Sequence, residues 1–154
     1  WIELNFPAVL EESASVEPGL LEALGIGEAR YVGRNRFDHL IQIDSAAEVR
    51  SLAPDYAALR KYGGRGVMVT ARDDAGDYDF ISRFFAPAAG INEDPVTGSA
   101  HCSLIPFWAE RLGRNPLSAL QRSVRGGELH CELKGDRVLI GGRVVPYLKG
   151  EISV

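Results

Sequence analysis

This 154-residue chain is poor in several of the materials that would pin down a class at once. It has two cysteines, Cys102 and Cys131, too few for a disulfide framework and suited to a reducing, cytoplasmic setting. Its longest run without Asp, Glu, Lys or Arg, Pro95 to Ala109, is shorter than the roughly 20 residues needed to cross a bilayer, so no membrane partner is expected. Basic residues number 17 against 21 acidic ones, a net charge of −4, and they form no cluster. A nucleic-acid partner is therefore not expected either. The one methionine is Met68 and the chain opens on Trp1, already inside a strand pattern, which we read as a domain cut from a longer protein or a processed product. Phosphate-loop, dinucleotide and nucleophile-elbow patterns are missing. His101-Cys102 and His130-Cys131 lack zinc spacing and diverge on a helix or a strand, so no metal site is expected.

What is present is a succession of short elements. Trp1 to Phe6 alternates apolar and polar and ends at Pro7, as a half-buried strand does. Pro18 and Gly25 bracket a short helix. Strands are expected near Glu28 to Asn35 and Phe37 to Ile43, followed by a capping box, Ser45 to Glu48, opening a helix through about Leu52. A second short helix starts at Pro54-Asp55 and stops at Gly63-Gly64. Strands Gly66 to Arg72 and Asp77 to Phe85 are joined by the turn Asp73 to Gly76. After a long apolar helix, a helical turn is expected around Leu117 to Arg122, and then strands Glu128 to Leu133, Arg137 to Ile140 and Val144 to Glu151. The fold class expected is α+β: a curved, mostly antiparallel, barrel-like sheet around one buried central helix, residues 1–154 forming a single domain.

The chemistry is concentrated in Phe84 to Gly113. Ala100, Leu104, Trp108 and Leu112 recur every fourth position while Cys102, Ile105, Phe107 and Ala109 fill the other faces, the pattern of a buried helix. The loop before it brings Glu93, Asp94, Gly98 and Ser99 to the helix N-terminus, where free N–H groups and the dipole favour an anion. Asp94-Pro95 and Thr97 also read as ordinary helix caps. A cap, however, calls for neither a second carboxylate nor a glycine at a helix start, where Gly98 lowers helix propensity but lets a ligand approach the backbone. On the site reading, Gly98 and Ser99 hold a substrate carboxylate and Asp94 moves a proton beside it or holds an amino group. With Glu93 beside Asp94, like-charge repulsion would raise one carboxyl pKa if both pointed inward, although consecutive residues usually point apart. His101 is a weaker candidate in the first helical turn, and Arg83 could support a bound anion or pair with Asp79. His39, His130, Cys102 and Cys131 read as packing or surface residues.

Arg83-Phe-Phe-Ala-Pro followed by Gly90-Ile-Asn-Glu-Asp-Pro-Val-Thr-Gly-Ser-Ala-His resembles the signature of the phenazine-biosynthesis PhzF-like family, relatives of diaminopimelate epimerase. The opening LNFPA and the run Arg125-Gly-Gly-Glu-Leu are similar to the second half of that family. The resemblance implies two similar domains whose helix N-termini face each other across a cleft, and a cofactor-independent isomerase or epimerase moving protons on a small carboxylated substrate. It implies Asp94 as the acidic site residue and Gly98 and Ser99 as ligand-binding. It also implies that the principal catalytic glutamate lies in a missing N-terminal domain, so that this chain alone is inactive. The epimerase relatives use two cysteines; with Asp94 in the corresponding loop, a two-thiol mechanism is not expected. The competing readings are a stand-alone small-anion-binding module and an interaction domain in which Asp94 merely caps. As one wall of a cleft, the chain would leave apolar surface uncovered at Phe85 to Ile91, Trp1 to Phe6 and Val144 to Ile152, and would take up a first half or form a homodimer.

Overall fold

The computed structural model describes residues 1–62 and 64–152. Its strands are β1 (Ile2–Pro7), β2 (Glu12–Ser13), β3 (Tyr31–Arg34), β4 (Asp38–Gln42), β5 (Gly66–Arg72), β6 (Phe80–Ala86), β7 (Ile91–Glu93), β8 (Leu117–Gln121), β9 (Gly127–Lys134) and β10 (Arg137–Gly142). Helices are α1 (Leu20–Leu24), α2 (Ala46–Ser51), α3 (Tyr56–Leu59) and α4 (Gly98–Leu112), with a 3-10 turn at Pro87–Ala89. The strands form one mixed sheet in the order β1-β10-β9-β8-β6-β5-β4-β3-β2, with β7 beside β6. Pairing is antiparallel except for β4 with β5 and β6 with β8.

The α+β class and the mainly antiparallel pairing hold, but the sheet is not a closed barrel. Its terminal strands, β1 and β2, do not pair with each other. The physical reason lies in the middle strands, which are buried on both faces and so need two covers rather than one interior. On one face Leu40, Met68, Phe80 and Phe84 pack against α4. On the other, Ile41, Val67, Val69, Ile81 and Phe85 pack against Leu20 and Leu24 of α1, Val49 of α2 and Leu59 of α3. The strict alternation along β4, β5 and β6 sends neighbouring residues to different cores.

Ala100 through Ala109 of α4 are all buried. Trp108 Nε1 donates to Thr70 Oγ1 at 3.0 Å, and Thr70 in turn donates to the Ile81 carbonyl at 2.7 Å, fastening the helix to the middle of the sheet. The Phe80 ring stacks with both Trp108 and His101. Pro106 within α4 has no N–H to offer the Cys102 carbonyl. The Val9 N–H takes that acceptor at 3.0 Å instead, docking the segment after β1 onto the helix.

Two element expectations are corrected. Leu117 to Gln121 is a strand, with Leu117, Ala119 and Gln121 inward, because a slot between β6 and β9 overrides the weak helical preference of its residues. Val144 to Glu151 forms no strand: Pro146 lacks a ladder donor, and the segment runs outside the sheet with Tyr147 and Leu148 exposed. The capping box is present, Ser45 accepting from the Glu48 N–H at 3.1 Å, and Asp55 caps α3 through the N–H groups of Ala57 and Ala58. The expected stop at Gly63-Gly64 falls partly outside the described residues, since Gly63 is not among them.

Of the surfaces expected to be uncovered, Ile2 and Leu4 of β1 are about half exposed, at 50% and 52%, and Ile91 is exposed as well. Phe85 and Ala86 are not: they are buried beneath the α1–α3 layer and α4 respectively. Among the described residues no helix is long and apolar enough to cross a membrane.

Candidate functional site

β6 ends in the 3-10 turn and β7, and the chain then crosses to the N-terminus of α4 with Asp94 at the crossing. The Asp94 N–H donates to the Phe84 carbonyl at 3.0 Å, tying the crossing to β6. The side chains of Glu93 and Asp94 part there, as successive residues of an extended segment must. Glu93 takes a forked bond from Arg83, Nε to Oε1 at 2.7 Å and an Nη2 bond to Oε2 at 2.9 Å. Arg83 also donates to the Leu52 carbonyl at 2.6 Å, at the end of α2. Both side chains thus belong to the α1–α3 side of the sheet. Glu93 and Asp94 therefore do not both point to the helix mouth, and the Arg83 guanidinium is engaged by Glu93 and the end of α2. Asp79, the other partner considered for Arg83, pairs with Arg114 and accepts from Ser118.

Asp94 turns the opposite way, toward α4. Its Oδ2 accepts the Thr97 hydroxyl at 2.6 Å. Thr97 stands at the N-cap of α4 in an extended conformation and makes no side-chain cap bond; its hydroxyl donates to Asp94 and accepts from Gln121 instead. Asp94 is therefore not the cap of α4. The first-turn N–H groups of Gly98 and Ser99 have no intrahelical acceptor. A Cβ added to Gly98 would meet nothing within 4 Å, so the space over this glycine is open. Ser99 is exposed. An open groove of about 690 Å³ begins at Val96 and Gly98 and runs over Leu4, Ile140 and Trp1.

Residues remote in sequence hold this loop, and sequence reasoning missed them. Gln121, 1% exposed at the end of β8, accepts the Thr97 N–H at 2.7 Å and donates to the Asp94 carbonyl at 2.8 Å and the Thr97 hydroxyl at 3.0 Å. Ser123 donates to the Pro95 carbonyl at 2.8 Å. Gly127 has a packing reason as well: a Cβ there would lie 2.2 Å from Val96. The only sequence signal was the glycine pair Gly126-Gly127, which reads as a turn rather than as the seat of a loop some thirty residues earlier.

His101 lies in the first turn of α4 but is wholly buried. Its Nδ1 lies 2.8 Å from the Thr97 carbonyl, which only accepts, so Nδ1 carries the proton. Nε2 is left as a bare acceptor without a partner among the described residues. Burial pushes its pKa down from 6.5 to about 4. With the folded value below the unfolded one, the stability His101 contributes is complete above pH 6.5 and is lost as pH falls toward 4. We expect His101→Gln to flatten the acid limb of unfolding free energy between pH 7 and 4 by about 3 kcal/mol, read from urea melts. An unchanged slope would mean that His101 charges as freely in the folded chain as in the unfolded one. Cys102 and Cys131 are buried free thiols whose pKa values burial raises, that of Cys131 to about 12.

The α+β sheet thus presents the open N-terminus of a buried helix beside a carboxylate, and comparison with known proteins shows the family to which the chain belongs. A relative described as an uncharacterized isomerase of Halalkalibacterium halodurans is 48% identical over 99% of this chain and 57% of its own length. A Pseudomonas aeruginosa protein of the same description is 46% identical over 99% of this chain and 58% of its own length. A PhzF-family crystal structure from Enterococcus faecalis superposes with a TM-score of 0.88 at 42% identity, covering 99% of this chain and 57% of that one. The family described as phenazine biosynthesis-like protein matches residues 2–150. The chain belongs to this PhzC-PhzF family and spans somewhat more than half the length of the curated relatives it matches.

Proposed function

We propose that this chain is the C-terminal domain of a PhzF-like, cofactor-independent isomerase that acts by proton transfer on a small carboxylated substrate. The observation that carries the reading is the open helix mouth at Gly98 and Ser99 with Asp94 held beside it by Thr97. The N–H groups there would take the substrate carboxylate, and Asp94 would then face the adjacent carbon as acid or base. The isomerase names of the relatives support the reaction class. A substrate lying over Gly98 would extend into the groove toward Leu4 and Trp1. The remaining acid–base group, a glutamate on the family resemblance, is assigned to the N-terminal domain, and the chain alone is expected to be inactive. The exposed Ile2 and Leu4 of β1 fit a surface that such a domain, or a second copy, would cover.

Titrating the ¹⁵N-labelled chain with acetate and succinate tests the helix mouth. The Gly98 and Ser99 amide resonances should shift saturably, and Gly98→Ala should abolish the shifts while keeping or slightly raising stability, by up to about 1 kcal/mol, since alanine is the better helix former. Shifts scattered over the surface, or unaffected by Gly98→Ala, would remove the anion site and with it the proposed substrate class.

A further inference from the structure

The two oxygens of Asp94 are not equivalent. Oδ2 accepts the Thr97 hydroxyl at 2.6 Å, while Oδ1 accepts no hydrogen bond among the described residues. What fixes this asymmetry is the Gln121 carboxamide, whose orientation leaves no alternative. The Thr97 N–H can only donate, so the Gln121 atom 2.7 Å from it is the carbonyl oxygen. Nε2 must then be the atom facing the Asp94 carbonyl, which can only accept. Its second hydrogen goes to the Thr97 hydroxyl oxygen at 3.0 Å. With that oxygen already accepting from Gln121, the hydroxyl proton is directed to Asp94 Oδ2. The Thr97 carbonyl is held in turn by His101 Nδ1, so each polar atom of Thr97 is engaged and the hydroxyl rotor is locked.

We propose that Gln121 is a positioning residue that gives the two oxygens of Asp94 different tasks, Oδ2 anchoring the carboxylate through Thr97 and Oδ1 exchanging the proton with the substrate. The inference rests on the proton-transfer role proposed above for Asp94. In that step the proton leaves a substrate carbon for Oδ1 while the electron pair stays in the substrate, conjugated with its carboxylate. Return of the proton from Oδ1 to another carbon on the same face restores Asp94, with no oxidant or reductant consumed. Because the Oδ2 anchor does not move, Oδ1 presents the same direction to the substrate in both transfers. Gln121 itself is buried behind the loop and acts only through Thr97 and the Asp94 backbone.

The test is the set of three-bond C′–Cγ and N–Cγ couplings of Asp94, which read the rotamer population of its side chain, in the ¹³C,¹⁵N-labelled chain as wild type, Thr97→Val, Thr97→Ser and Gln121→Met. Anchored at Oδ2, the side chain should hold one χ1 rotamer in wild type and Thr97→Ser, and the couplings should average over rotamers in Thr97→Val and, to a smaller extent, in Gln121→Met. Equal couplings in all four proteins would overturn the proposal. Averaging in Thr97→Val without any in Gln121→Met would remove Gln121 from it. Should Gln121→Met not fold, the Thr97→Val and Thr97→Ser pair still decides whether Oδ2 is anchored, and Gln121→Asn, which keeps the amide but shortens its reach, replaces Gln121→Met. This measurement needs no turnover, so it can fail while Asp94 proves catalytic, and turnover can prove independent of Asp94 while the measurement succeeds.

Discussion

Replacing Asp94 with asparagine in the full-length protein should lower turnover by about 100-fold or more while changing substrate binding little. Asparagine is nearly isosteric, and its side-chain oxygen still accepts the Thr97 hydroxyl, so the loop keeps its main internal bond. What is lost is the capacity to take up and return a proton. If Asp94 carries the acid–base step, the loss falls on kcat; if it merely holds an amino group of the substrate, it falls on KM. The measurement is deuterium uptake from D2O into the carboxylated substrate, with kcat and KM determined separately. Turnover equal to wild type would reduce Asp94 to a brace between β6 and α4.

Arg83→Met should cost about 3–5 kcal/mol of stability without touching the helix mouth. Arg83 and Glu93 side chains are only 10% and 11% exposed, and their forked contact satisfies the Glu93 carboxylate. Taking away the guanidinium leaves that charge nearly buried with no cation, and the Leu52 carbonyl loses its donor too. Lysine is a poor replacement, because one ammonium cannot span a carboxylate and the end of α2 together. At this chain length the loss corresponds to a fall in Tm of roughly 6–20 °C. Arg83→Met combined with Glu93→Leu should recover much of it, since the unpaired charge is gone. A loss below about 1 kcal/mol in the single variant would place the pair among ordinary surface contacts.

How far the structure was legible in the sequence depends on the range over which each signal acts. The buried helix, its start near Thr97 and the capping box at Ser45 are local patterns, and they fall where periodicity and capping chemistry put them. The family could be read from one ungapped run around Asp94 and from Arg125 to Leu129. The open sheet was not legible, because a residue such as Met68 or Val69 looks equally apolar whichever of the two cores receives it. Leu117 to Gln121 and Val144 to Glu151 failed for a related reason: whether a strand forms depends on a neighbour to pair with. The parting of Glu93 from Asp94 follows from the extended backbone once β7 is known, yet β7 has only three residues and no alternation of its own. Gln121 carried no signal, since a glutamine at the end of a strand is ordinary until the loop it holds is in place.

The loop that carries Asp94 is pinned at both ends to strands in the interior of the sheet, to β6 through the Phe84 carbonyl and to β8 through Gln121. Such strands are the part of a fold whose amide protons exchange last with solvent, because they open only in near-global unfolding. The site geometry is thereby tied to the most persistent cooperative unit of the chain, whereas β1 and residues 143–152, at the margin of the sheet, can open at much lower free energy. Opening the margin would rearrange the walls of the groove at Leu4 and Trp1 while leaving Asp94 and Thr97 in register. Plasticity of the groove and constancy of the Asp94–Thr97 geometry would then reside in separate regions of one sheet.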